Sequence, residues 1–278
     1  AVVFLAVAGL FAGVVFLPRY FQLIHGASAT ESGWQIMALL AGLIIGAIGA
    51  GAVVARTGRW KMLLLGAMVV GAAGMFLLTG LEAETELPYV WGAMFLTGLG
   101  LGPITSVMTA VIQSTSPPET MGVATSTLTS ARQLGASVWL AIAGSYFTTV
   151  FDDRLPGALR DAGVPDELVA GLTEGSEAAA SEDTTAAGDL GVAVLAAIPE
   201  EARASVEPFV GAIVEGMHQA VSLATGNVFW IGIGATTVAF LVLLPLREVP
   251  LPKRTRAAAA EAGSEPTDAD ERLSVEPA

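Results

Sequence analysis

The stretch GVATSTLTSARQLGASVWLAIAGS, Gly122–Ser145, contains one charged residue, Arg132. A guanidinium stays protonated and offers five N–H donors, so in apolar surroundings it needs an acceptor. Thr125, Thr129, Gln133 and Ser137 fall near it at helical spacing. The set suits a contact with a substrate, with an anion, or with a moving gate; a buried structural ion pair is the other reading. Gln113 follows Ser106 and Thr109 along one helical face, and Gln35 stands beside an apolar run. Arg132, Gln133, Thr129, Gln113 and Gln35 are the candidate lining of a polar cavity. Bond-making chemistry finds little support. There is no cysteine, which removes thiolate nucleophiles, disulfides and Cys-based zinc sites. His25 and His218 are far apart in the chain and read as solvated polar residues. No Ser-His-Asp set, HExxH, Walker loop or metal-ligand cluster occurs, so no enzyme activity, metal or cofactor is expected. The carboxylate pairs Asp152–Asp153 and Asp166–Glu167 leave a polytopic membrane transferase as an alternative.

A second cluster is basic. In GAVVARTGRWKMLL, Gly51–Leu64, three of the thirteen basic residues occupy six positions: Arg56, Arg59 and Lys61, with Gly58 at the turn. Ser32–Ala55 before it and Met62–Leu81 after it carry no charge.

The elements that hold these residues follow from composition. The chain is 53% hydrophobic and only 14% charged, with a mean hydropathy of +0.66. Soluble domains carry about 25% charged residues. The net charge of -13 is concentrated: Phe151–Gly216 holds three Arg against fourteen Asp or Glu, a balance of -11. Such a chain repels phosphate, so nucleic acid is not an expected partner. Crossing a hydrocarbon core about 30 Å thick takes about 20 apolar helical residues. Six segments fit: Ala1–Leu17, ending at Pro18 and Arg19, then about Gly33–Ala55, Met62–Leu81, Tyr89–Gln113, Thr120–Val150 and Asn227–Leu246. The first begins at Ala1 with no basic region before it, so no signal peptide is expected, and the N-terminal part of a longer protein is expected to be absent.

Short cytoplasmic loops collect Lys and Arg. The Arg56–Lys61 loop therefore belongs inside, and alternation puts the acidic EAETELP loop outside and the basic REVPLPKRTR start of the tail inside. The expected organisation has residues 1–150 forming five transmembrane helices. Residues 151–216 form an acidic extracellular segment, 217–249 the last transmembrane helix, and 250–278 a disordered cytoplasmic tail. Within the acidic segment, PGALRDAGVPDELVAGL suggests two short helices turning at Gly163–Pro165. SEAAASEDTTAAG is small, polar and flexible in expectation. Val206, Phe209, Val210, Ile213, Val214 and Met217 mark an amphipathic helix expected to lie on the protein or the outer membrane surface.

Glycines are dense within the segments. Gly42, Gly46, Gly49 and Gly51 in the second, and Gly66, Gly71 and Gly74 in the third, suit close helix packing in lipid. GLGLGP, Gly98–Pro103, lies inside an apolar run, so it is not a nucleotide loop; a flexible or broken helix is expected there. No Asp or Glu lies deep in any segment; Glu31 sits only at an outer rim.

Gly51-x-x-x-Ala55-Arg56-x-Gly58-Arg59-Trp60-Lys61 resembles the loop motif Gly-x-x-x-Asp-Arg-x-Gly-Arg-Arg of the major facilitator superfamily. It falls where that family repeats the motif, between the second and third helices of its C-terminal half. Ala55 replaces the acid and Trp60 a base, so a charge-relay role for position 55 is not carried over. LPRYFQLIHGASATESGW, GLGLGP and Gly122–Ser145 are similar to the fourteen-helix drug:proton antiporter branch found in bacteria. The resemblance covers about Ala1–Val150 and the last segment, and the first and fourth segments align loosely as an internal repeat.

The resemblance implies an all-α polytopic membrane protein: the six-helix C-terminal half of such a transporter, two three-helix repeats with a long, partly helical extracellular insertion. It implies a multi-pass protein of the bacterial plasma membrane that exports drugs or other small amphipathic molecules by alternating access, with protons as coupling ion. The missing N-terminal half of the same chain, the lipid bilayer and a small-molecule substrate are the implied partners. Gly51, Arg56, Gly58 and Arg59 become a cytoplasmic latch, with the Arg side chains expected on C-terminal carbonyls of neighbouring helices. The alternative from another class is a membrane-embedded interaction protein that works through the acidic outer segment.

Overall fold

In the computed structural model, which describes residues 1–170 and 206–246, every regular element is helical. Six helical spans are long and apolar enough to cross a membrane. Helix α1 is Val2–Ile24, α2 Ala29–Gln35, α3 Met37–Thr57, α4 Lys61–Leu78, α5 Leu87–Thr115, α6 Met121–Asp161 and α7 Val210–Leu243. A short 3-10 turn, Pro118–Thr120, leads into α6, and α2 passes into α3 through Ile36 to make one span. The spans alternate in direction. One end of the bundle carries Arg56, Arg59, Lys61 and the C-terminus of α7; the other carries the acidic α4–α5 connection, Glu82–Glu86.

Several helix ends differ from expectation. Helix α1 does not stop at Leu17. Pro18 removes one backbone donor, but Tyr20 and Phe21 beyond it are fully buried, and their packing carries the helix to Ile24. Tyr20 Oη donates to Glu82 O at 2.8 Å, pinning the end of α1 to the α4–α5 connection. The second span starts earlier than expected because Ser28 and Glu31 form a capping box. The Glu31 amide donates to Ser28 Oγ at 3.2 Å, and the Ser28 amide donates to Glu31 Oε2 at 2.8 Å. Glu31 therefore has a local structural role.

The largest difference lies at the acidic end. Helix α6 runs through residue 150 to Asp161, and α7 starts well before residue 217. At about 1.5 Å per residue, α6 is about 60 Å long, twice the hydrocarbon thickness. Phe147, Phe151, Leu155, Ala158 and Leu159 form a buried stripe at helical spacing that continues the core beyond the span. It packs on Ile213, Gly216 and Ala220 of α7, so of the two expected settings for these residues the structure shows the protein surface, against α6. A Cβ on Gly216 would come within 3.0 Å of Leu159 Cα. The turn expected at Gly163–Pro165 is present: Gly163 has φ +92°, and the Val164 amide donates to Leu159 O at 3.0 Å. Residues 176–188, 199–205 and the tail lie outside the described residues.

Helix α5 is unbroken across GLGLGP, contrary to expectation. Its three glycines are each occupied by a neighbouring backbone. Cβ atoms on Gly98 and Gly102 would strike Leu39 O and Leu43 O of α3, and Cβ atoms on Gly42 and Gly46 would strike Phe95 O and Leu99 O of α5. On the other side, Gly100 meets Gly71 and Ala67 of α4. Pro103 contributes too. It has no N–H for Leu99 O, and that carbonyl lies against Gly46. The run is a two-sided backbone contact, which hydrocarbon favours because apolar side chains gain little there from leaving lipid for protein. Gly9, Gly232 and Met75 bring α1, α7 and α4 together in the same way.

Gly98→Val should overpack this contact and destabilise the protein by about 1–3 kcal/mol. Gly92→Ala, with nothing within 4 Å of the added Cβ, should be neutral or stabilising. Thermal unfolding of the purified protein in detergent checks both; equal melting temperatures for the two variants would refute the contact.

Candidate functional site

The loop between α3 and α4 is built around Gly58, whose φ of +71° closes α3 in the left-handed conformation. Trp60 is buried, and it delivers Lys61 to the first turn of α4. A cation is unfavourable at the positive end of a helix dipole. Here it is compensated, because Lys61 Nζ donates to Leu244 O and Leu246 O, each at 2.7 Å, at the negative end of α7. The carbonyl-binding expected of the arginines thus falls to Lys61. Among the described residues Arg56 and Arg59 are exposed and their side chains bond to nothing, and Gly51 is exposed with open space around a Cβ. A Lys opening an apolar helix was the sequence signal for this contact.

Helix α6 presents the principal polar surface. Leu128 and Gly135 face the bundle, and a Cβ on Gly135 would lie 2.8 Å from Phe4 O of α1. One turn on, Trp139 Nε1 donates to Phe4 O at 2.8 Å, fixing α6 against α1. Arg132 lies between Leu128 and Gly135 on this face, and about 16 Å along α6 from Met121. It is half-buried, and among the described residues its Nε has no acceptor and it makes no ion pair or ring contact. A cation at such depth costs about 2.5–3.5 kcal/mol on insertion scales. Thr129 and Gln133 are exposed beside it, and Thr129 Oγ1 donates to Thr125 O at 3.1 Å. An open recess of ≈ 700 Å³ follows toward the start of α6, lined by Met121, Gly122, Thr125, Ser126, Thr129 and Ser130. Ser126 Oγ also donates into its own helix, to Val123 O at 3.0 Å.

The remaining sequence candidates are not gathered here. Gln113 is exposed near the basic end of α5. Gln35 ends α2 at the acidic end, half-buried with Oε1 unpartnered. That end has its own recess of ≈ 450 Å³, lined in part by Glu82, Glu84, Glu215 and His218. His218 lies within α7, not in a loop, and the fold brings it near His25. Partial burial, and then the nearby His218, push the His25 imidazole below its ordinary pKa. Sequence distance hid this pairing.

The six-span bundle defines a multi-pass membrane protein. The family model of the Major Facilitator Superfamily matches residues 1–140. An uncharacterized MFS-type transporter of Mycobacterium tuberculosis is 32% identical over 240 residues, 86% of this chain and 30% of its own length. The tetracenomycin C resistance and export protein of Streptomyces glaucescens is 34% identical over 63% of this chain and 31% of its own. The multidrug transporter protein MdtP of Bacillus subtilis is 31% identical over 56% of this chain and 28% of its own. The chain spans about 30% of the length of such relatives. It belongs to the Major Facilitator Superfamily, which makes it transporter sequence and not an enzyme.

Lys61→Met should lower stability by about 1–2 kcal/mol through loss of a charged donor to two carbonyls, while Lys61→Arg retains most of it. Melting temperatures in detergent report the difference. An unchanged Lys61→Met would mean that the α4–α7 contact contributes nothing.

Proposed function

We propose that this chain forms the C-terminal half of a proton-coupled exporter of small amphipathic molecules that works by alternating access in the bacterial plasma membrane. The N-terminal half of the same polypeptide would cover its open face. The observation that carries this reading is the uncovered face of α6. Ser126, Ser130, Gln133, Ser137, Ser145 and Thr148 are all exposed there, in a stripe along the length of the span. Ser130, Gln133 and Ser145 make no side-chain bond among the described residues, and hydrocarbon does not solvate such groups, so a water-filled cavity between two halves is the environment that suits them. The export and resistance names of relatives support the direction of transport.

In this reading the basic end faces the cytoplasm, and Arg56, Gly58 and Arg59 form a latch there. Arg132, Gln133 and Thr129 line the cavity, with Gln113 near the inner mouth and Gln35 near the outer one. Among the described residues no carboxylate lies deep in the membrane-spanning part of this half, so the proton-carrying acid is either in the other half or is Glu31 at the rim, unless coupling is not protonic.

The absence of native cysteine in the chain suits a labelling test. In the full-length transporter, Ser130→Cys and Ser137→Cys should react with a membrane-impermeant maleimide, and a transported drug should slow the reaction. Ile44→Cys, exposed on an apolar face of α3, should stay unreactive. Equal, low reactivity at all three positions would refute the cavity.

A further inference from the structure

Resting on the export reading above, we infer that Arg132 selects cargo bearing an anionic oxygen, a carboxylate or phenolate on an apolar body. Arg132 is a charged side chain within the spans, away from their ends, and it bonds to no described residue. Every described Asp and Glu lies at one end of the bundle or beyond it, so none reaches this depth to neutralise the guanidinium. The same placement gives a cationic cargo no described carboxylate to meet at this depth. The adjoining recess adds no competing charge, since none of its lining residues is ionisable. Gln133, exposed one residue on, supplies an uncharged amide that can donate to the same oxygen.

The position is also held firmly. Gly135 lets α6 touch the α1 backbone, and Trp139 locks the contact through Phe4 O. Arg132 therefore sits on a fixed stretch of helix, three residues from Thr129, which lines an open recess of ≈ 700 Å³. A guanidinium presents paired donors that match a carboxylate in plane, and a charge-assisted bond of this kind strengthens as water is excluded. An apolar body would rest on the surrounding helix faces while its acidic group met Arg132.

The probes are 1-pyrenebutyrate and its methyl ester, which share one skeleton and differ in charge. Binding is read by fluorescence on the purified full-length transporter, and transport separately in proteoliposomes. The wild type should bind the acid more tightly than the ester. Arg132→Gln should weaken acid binding about tenfold or more and change ester binding less than twofold. Arg132→Lys should keep most of the preference, which also shows that substitution at this site leaves the fold intact. Equal weakening of both probes by Arg132→Gln would overturn the inference in favour of a structural ion pair with the other half. So would an unchanged affinity for the acid, or a wild type that prefers the ester. Acid-selective, Arg132-dependent binding without transport in proteoliposomes would uphold the inference and overturn the export reading alone.

Discussion

Backbone-to-backbone contact between α3, α5 and α4 is the constraint on which the other placements depend. In water, helices associate to bury apolar side chains; in hydrocarbon that gain largely disappears, leaving close packing and weak polar contacts. Glycines permit both. Gly42 and Gly46 face Gly98 and Gly102, and Gly100 faces Gly71 on the opposite side of α5. Helix α5 thus becomes a central rod with a partner on each flank. Helices α1 and α7 join through Gly9, Gly232 and Met75, and α6 comes last, held by Gly135 and Trp139. Because α6 is attached along one side, its other side remains open.

Polar groups follow a consistent economy. Thr97, Thr109, Thr129, Thr148, Ser222 and Thr237 each donate to a carbonyl four residues back in their own helix. Such bonds let hydroxyls enter a nonpolar environment at little cost. Tyr20 instead donates to the α4–α5 connection and Trp139 across to α1, and both fix how the helices pack. Against this background the unsatisfied groups stand out. Arg132 Nε, deep in the α6 span, and Gln35 Oε1, at the acidic end, are buried without partners among the described residues.

Charge is organised by the helix ends. Lys61 opens a helix where a cation is disfavoured, and its stability there depends on the carbonyls that end α7. This contact joins residues 183 and 185 positions apart. Beyond the other end, α6 and α7 continue as a packed pair whose apolar seam is shielded by acidic outer positions such as Asp153, Asp161 and Glu215. That projection is helical for the same reason as the spans: a stripe of buried side chains at helical spacing finds a partner.

The sequence by itself determined that these segments enter a membrane, how many do so, and that Arg132 is out of place among them. Hydropathy, helix period and the burial cost of a charge are local properties, readable from a window of residues. It also marked the Gly58 turn, since a left-handed residue is a local demand. Tertiary structure alone decided where α1, α6 and α7 end, because Tyr20, Leu159 and Gly216 extend their helices by packing on distant partners. It likewise decided that GLGLGP is a rigid contact and not a break, and that Lys61, not Arg56 or Arg59, holds α7. Such outcomes depend on which backbone comes alongside, and a one-dimensional pattern does not contain that information.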